Sequence, residues 1–356
     1  MPPNGPSNVP GSPLSGWPLE RSPFHAGEQA VQERVGMRGR LEQTGRKIIR
    51  SFMPDQHREL FCKLPFLLVG SLDGERRPWA SILVGAPGFV SSPDPRTLVI
   101  SARPGFGDAL GQNLTVGAPL GLLGIQLETR RRNRMNGTVV ELDEDRFAVQ
   151  VGQSFGNCPQ YIQARDPVFV AEPSRVIEPR PVRKEGPLLS GASAGLIERA
   201  DTFFIASASP AARGGEPVDG VDVSHRGGKP GFVRVTEEAG RTVLTAPDFS
   251  GNLQFNTLGN LVLHPRAGLL FVDFTSGGLL SLTGETEIVW DGPEVEAFTG
   301  AERLLRFRVT EGTWIENGVP LRWSAPRPAP QLSNTGSWEE AGRHQGSAGA
   351  VFPVPP

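Results

Sequence analysis

NLTVGAPLGLLG, residues 113–124, can be laid on NLVLHPRAGLLF, residues 260–271, without a gap and at an offset of 147. The offset persists downstream, because Gly121 and Gly137 stand 16 apart, as do Gly268 and Gly284, so that NGTVV meets TGETE. Upstream, RTLVIS from Arg96 meets RTVLTA from Arg241 after a two-residue adjustment, and PFLLVGS from Pro65 meets TFFIASA from Thr202. Five landmarks recurring in one order over about a hundred residues predict two copies of one structural unit.

Each unit reads as β-structure. FLLVGS and the segments Ala80–Val84, Thr97–Ser101, Leu120–Leu127, Thr138–Leu142 and Phe147–Val151 are short, rich in Val, Ile and Leu, and punctuated by Gly, Pro and Asp. That is the pattern of strands joined by tight turns, and six of them fit a six-stranded barrel. Asp108–Val116 interrupts the series and predicts a short helix with Asp108 as its cap. Residues 27–51 are rich in helix formers, with Val31, Val35, Leu41 and Ile48 at helical spacing, and predict one or two helices hinged near Gly36–Gly39. Another short helix is expected from Pro54 through Leu60.

At roughly 150 residues per domain, a chain of 356 residues suggests two domains. The expected divisions are a disordered lead-in at 1–23, helices and a first barrel at 24–171, a proline-broken linker at 172–187, a second barrel at 188–324, and a flexible tail at 325–356 on which Trp338 can dock. Lys and Arg total 36 against 38 Asp and Glu, so no global field exists for gripping nucleic acid or an acidic membrane. Cys62 and Cys158 have no partners at metal-ligand spacing, which predicts neither a disulfide framework nor a metal site. The opening residues lack a basic start and an apolar core, and no run approaches the ~20 apolar residues of a membrane span, so a cytoplasmic protein is expected.

Residues suited to chemistry concentrate in the second copy. In DVSHRGGKPGFVRV, residues 222–235, Ser224, His225, Arg226 and Lys229 combine cations with neutral donors on one turn and strand, the set that a phosphate needs. Gly227 and Gly228 lack β-carbons, so a flat ring can lie on their backbone. Gln254, Asn256, Thr257 and Asn260 precede or open an expected helix, whose amino end favours an anion. In the first copy, alternation along a strand sends Arg130, Arg132 and Arg134 to one face, a surface for a second anion or substrate, with Trp79 as a ring-stacking candidate.

SHRGGKPGFV together with HPRAGLLF resembles the pyridoxamine 5'-phosphate oxidase-like, FMN-binding split-barrel family. GLLGIQLETRRRNRMNG and QSFGNCPQYIQAR in the first copy look like its flavin-nucleotide-binding branch, and the likeness covers roughly residues 24–324. The resemblance implies a fold that is mainly β with flanking helices: two tandem six-stranded split β-barrels forming a pseudo-dimer, with FMN in the crevice between them. Where relatives carry a phosphate-binding Arg–Lys pair this chain has Asn256 and Thr257, which moves the charge burden to Arg226. The function so implied is that of an FMN-dependent oxidoreductase passing reducing equivalents from NADH, NADPH or another donor to a small organic acceptor or dioxygen. Its catalytic residues stay unknown, because the chemistry belongs to the cofactor. Partners on this reading are a small redox substrate, a separate reductase and a second copy in a homodimer. The first copy has nothing like SHRGGKPG, so one site per chain is expected.

Other readings stay open at this level. The chain could carry flavin without turnover, or bind haem through His225 and His264. SHRGGKPG also reads as a polar turn, the arginine run as an edge strand protected by charge, Cys158 as a thiol packed under a turn, and Trp79 as a rim packing residue.

Overall fold

The computed structural model describes residues 16–348. Helices α1 (Ala26–Arg34), α2 (Arg38–Ile48) and α3 (Asp55–Lys63) lead into β1 (Phe66–Leu72), β2 (Pro78–Val84), β3 (Val90–Ser91), β4 (Thr97–Ile100), α4 (Leu110–Asn113), β5 (Pro119–Gln126), β6 (Arg131–Leu142) and β7 (Phe147–Asn157). A connection holding β8 (Pro167–Phe169) and β9 (Val182–Glu185) leads to α5 (Gly191–Arg199), β10 (Thr202–Ala208), β11 (Val221–Gly227), β12 (Arg234–Glu238), β13 (Arg241–Phe249), α6 (Asn256–Leu263), β14 (Arg266–Val272), β15 (Leu279–Val289), α7 (Pro293–Ala297), β16 (Ala301–Ile315), β17 (Leu321–Trp323) and α8 (Trp338–Ala348). The molecule is mainly β, with a curled half-barrel sheet. Among the described residues no helix is long and apolar enough to cross a membrane.

The first sheet runs β2-β1-β5-β6-β7-β4-β3 and the second β11-β10-β14-β15-β16-β13-β12, with β9 paired to β16. Numbered from its own first strand, each sheet has the same order. Seven strands lie on each path where six were expected; in the first the additional strand is the two-residue β3, too short to show any periodicity in the sequence, and in the second its counterpart is β12. Polar residues also extend β6 back to Arg131, paired with Gln126 of β5, and β7 on to Asn157, paired with Arg132. The short helix is α4, with Asp108 Oδ1 accepting the Leu110 N–H at 2.8 Å.

Alternation along β1 feeds two cores. Leu67 and Val69 pack inside the first half with Phe61, Leu98, Leu122 and Val149. Phe66 and Leu68 pack instead against Phe204, Ala206, Val223 and Leu270 of the second half. On β10, Phe203 and Ile205 face a third core with Phe232, Leu244, Phe271 and Phe307. Both strands are therefore buried along their whole length, and an apolar run buried on both faces carries no phase. The ladders show the result: Leu68 and Phe204 occupy matching positions, so Thr202 matches Phe66, one residue from the sequence alignment. Leu98 likewise matches Leu244, where the alignment gave Val243.

The halves meet reciprocally. A Cβ on Gly121 of β5 would lie 2.4 Å from Val221 O of β11, and one on Gly268 of β14 would lie 2.4 Å from Pro78 O of β2. These repeated glycines let a neighbouring backbone approach where any side chain would collide. The other repeated pair, Gly137 and Gly284, sits at register shifts in β6 and β15.

The ends and the connection differ from expectation. Residues 1–15 of the lead-in and 349–356 of the tail lie outside the described residues. From Gly16 the chain is packed, with Trp17 buried and its backbone N–H donating to Arg46 O at 2.7 Å. In the 172–187 stretch the prolines bound β9 without preventing it, since Val182–Glu185 pairs along β16. Within 325–348, Trp338 anchors the chain: Nε1–H donates to Phe232 O at 2.9 Å, the ring meets Phe298 edge-on at 4.8 Å, and the Arg234 guanidinium lies 4.1 Å over its face.

Candidate functional site

A cleft enclosing about 100 Å³ opens between the halves, less than the ~300–1,000 Å³ of most small-molecule sites, so a larger ligand would lie partly in its open mouth. One wall is the end of β11, where strand alternation turns Ser224 and Arg226 to one side and His225 to the other. Opposite stand Arg132 and Arg134 of β6, with the 157–161 loop, and the start of α6 closes the third side.

Arg134 forms the floor. It is 4% exposed, with Nη1 3.1 Å from Asp222 Oδ1 and Nη2 donating to Ser224 Oγ. Asp222 also accepts from Asn136 Nδ2 at 2.7 Å and Asn260 Nδ2 at 2.8 Å, and Thr257 Oγ1 donates to Ser224 Oγ at 3.1 Å. Burial lowers the pKa of Arg134 against the opposing pull of Asp222. Nearer the mouth, Arg226 pairs with Asp248 Oδ1 at 2.7 Å, while Asp248 Oδ2 pairs with Arg303 at 2.7 Å and Arg303 with Glu302 at 2.7 Å.

Arg132 is placed differently. Nε donates to Cys158 O at 2.8 Å, Nη2 to Gln160 O at 2.9 Å and Nη1 to His225 O at 3.4 Å. Among the described residues no carboxylate pairs with it. Burial first, then the positive charges of Arg134 and Arg226, draw its pKa down to about 10, with Cys158 opposing. Four guanidiniums thus meet three carboxylates, Asp222, Asp248 and Glu302, and Arg132 is the cation left over. A half-buried guanidinium fixed by carbonyls and lacking a counter-charge is suited to receive an anion.

Of the residues singled out from the sequence, Ser224, His225, Arg226, Gly227, Asn256, Thr257, Arg132 and Arg134 border this cleft. The ring of His225 is buried against Phe204, edge-on at 5.8 Å, where burial and the nearby arginines hold it neutral. Asn260 lies a turn deeper and braces Asp222, and Gln254 is buried with its carbonyl accepting from Gln32 Nε2 at 3.3 Å. The bare faces of the glycine pair are already covered: a Cβ on Gly227 would stand 2.2 Å from Tyr161 O, and one on Gly228 2.4 Å from the Phe232 ring. The Gly228 N–H donates to Asp201 O at 3.0 Å, so this backbone is not free to address a flat ring. Lys229 and His264 fall outside the lining. Arg130 precedes the strand at φ 57°, leaving the alternation of Arg132 and Arg134, and donates to the carbonyls of Ile162, Arg327 and Pro328. Trp79 is on β2, away from the cleft, and donates to Asp73 Oδ2 at 3.0 Å.

The sequence reading passed over Asp248, Arg303 and Glu28. Asp248 and Arg303 are direct partners across the β13–β16 ladder, a relation that only register reveals.

The ladders also locate the matching place in the other half, where Ser81 stands for Ser224, Leu83 for Arg226, Leu279 for Arg132 and Ser281 for Arg134. Ser81 Oγ there donates to Asp108 Oδ1 at 2.6 Å, and Leu279 packs with Val176, Ile315 and Val319. Apolar side chains and a carboxylate occupy positions that carry cations in the cleft.

No family model matches the chain, and no curated protein matches it. Among solved structures the chain is similar to HupZ of Group A Streptococcus, at 12% identity over 34% of this chain and 90% of that one, TM-score 0.26. It is similar to a Clostridium acetobutylicum protein related to general stress protein 26 of B. subtilis, of the pyridoxinephosphate oxidase family, at 12% identity over 40% and 94%, TM-score 0.25. A FAD-binding protein from Mesorhizobium loti gives 13% identity over 38% and 97%, TM-score 0.23.

Proposed function

We propose that the cleft is an FMN site and that the chain is an FMN-dependent oxidoreductase built from two copies of one split barrel, 24–171 and 188–324, paired as a pseudo-dimer. The observation that carries this reading is Arg132, a guanidinium without a carboxylate partner among the described residues, at the junction of two sheets of the same strand order. The residues present fit a flavin phosphate: the Ser224 and Thr257 hydroxyls, Arg134 and the first-turn N–H groups of α6 all border one space. Tyr161 and Phe249, with ring centroids 5.0 Å apart, supply an aromatic wall for the flavin ring in place of the covered glycines. FMN held there would supply hydride and single-electron transfer. The chain's own part is to hold the phosphate, position the ring, and admit through the cleft mouth a donor such as NADH or NADPH and a small organic acceptor or dioxygen.

The test is flavin stoichiometry followed by reduction. Titration of the purified chain with FMN should saturate at one equivalent, because the matching place in the other half lacks the cations. Absence of binding defeats the cofactor assignment. Anaerobic bleaching of the bound flavin by NADH or NADPH, with return of colour on adding an acceptor, distinguishes an oxidoreductase from a carrier.

A further inference from the structure

A carboxylate from the amino-terminal helix reaches the cleft wall from behind. Helices α1 and α6 touch at paired glycines: a Cβ on Gly27 would stand 2.1 Å from Gly259 O, and one on Gly259 would stand 2.5 Å from Glu28 N. This contact presses Glu28 inward until it is 3% exposed. Its Oε1 accepts from Nδ2 of Asn256, the first residue of α6 and part of the cleft wall, and its Oε2 accepts the His25 N–H at 2.8 Å. Among the described residues no Lys or Arg pairs with it. The titratable and charged groups facing it are His25 on its own helix, with Nε2 at 3.7 Å, Asp222 on β11 and Arg134 on β6.

Resting on the reading of the cleft as an anion site, we propose that Glu28 is a proton-linked positioning residue: an anion entering beside Asn256 and Arg134 draws a proton onto its carboxyl, and anion affinity therefore falls as the medium turns alkaline. Two negative groups sharing a poorly solvated wall repel, and protonating Glu28 relieves the repulsion while leaving an oxygen to accept from Asn256. Burial, seconded by Asp222 and opposed by His25, has already raised the Glu28 pKa to about 7, so the proton is exchanged in the neutral range. Anion binding raises it further, and by reciprocity affinity is highest below neutrality and declines above it.

The full chain is titrated calorimetrically with FMN, and separately with inorganic phosphate, at pH 6.5 and 8.5 in buffers of different ionisation heat, in parallel with Glu28→Gln. A phosphate's own second ionisation, near pH 6, pushes affinity the other way but is common to both proteins. The readout is therefore the difference between them. The parent should bind about five- to tenfold more weakly than Glu28→Gln at pH 8.5, match it at pH 6.5, and take up protons that the variant does not. Equal pH profiles, or proton uptake that persists in the variant, overturn the proposal. Phosphate binding with this linkage but no FMN binding would sink the flavin reading alone, and binding of neither probe sinks both. If Glu28→Gln does not fold, the infrared carboxylate band of the parent decides: it must weaken on ligand addition at pH 7.5, and an unchanged band refutes the assignment.

Discussion

Arg132→Met tests whether the unmatched charge belongs to the ligand. The lowering of the Arg132 pKa to about 10 corresponds to roughly 3 kcal/mol of disfavoured charge in the unliganded protein. Methionine removes that cost together with three hydrogen bonds to carbonyls, each worth about 1 kcal/mol net. The contributions nearly cancel, so the variant should unfold in urea within about 1 kcal/mol of the parent. FMN loses a charge-assisted contact worth ~1.5–3 kcal/mol, and its Kd, read from flavin fluorescence quenching, should rise about 10- to 150-fold. A Kd that does not move while stability falls by about 3 kcal/mol or more would make Arg132 a strap for the 158–160 loop and refute its role as an anion partner.

Arg226→Ala should cost FMN less than Arg132→Met, about 0.5–1.5 kcal/mol, because Asp248 already neutralises Arg226. Asp248→Asn should tighten inorganic phosphate binding severalfold while lowering stability by about 2 kcal/mol, since Arg303 keeps only Glu302; weaker phosphate binding would contradict the charge count. Gly121→Ala and Gly268→Ala should each destabilise by about 1–3 kcal/mol in urea, because each new Cβ meets backbone; a neutral result at either would mean that the sheets do not abut there. His57 is buried with Nδ1 2.9 Å from Ser154 Oγ, and burial with nearby Arg50 and Arg131 lowers its pKa from 6.5 to about 4. Between those values the unfolded chain binds the extra proton, so stability contributed by this residue falls as pH drops from 6.5 to 4, by up to roughly 3 kcal/mol. His57→Gln should flatten that part of the acid-unfolding curve, and an unaltered curve would locate the acid sensitivity elsewhere.

Much of the architecture was legible where the chain alternates or punctuates itself. The break between α1 and α2 fell at Gly36, the short helix followed Asp108 although Ala109 is its N-cap, and the downstream alignment of Gly121 with Gly268 agrees with the ladders. Register failed by one residue at β1, whose burial on both faces removes the polar–apolar alternation that sets phase, and at β4, which alternates but whose counterpart β13 is buried almost throughout. At the cleft, Ser224, Arg226, Asn256 and Thr257 were readable from a strand and a helix start, but Arg130 was wrongly grouped with Arg132 because a left-handed residue precedes the strand. Gly227 and Gly228 carried the right composition for a bare surface, and Tyr161 from the first half and Phe232, four residues on from Gly228, cover them.

By itself the sequence determined the order of elements, the recurrence of one pattern and the composition of the β11 strand, since these depend on neighbours within a few residues or on self-similarity along the chain. Only the tertiary structure decided which charges cancel. Asp248 meets Arg226 and Arg303, Asp222 meets Arg134, and Arg132 meets carbonyls and the Cys158 sulfur but no carboxylate among the described residues, because side chains far apart in the chain converge and their separations set the electrostatics.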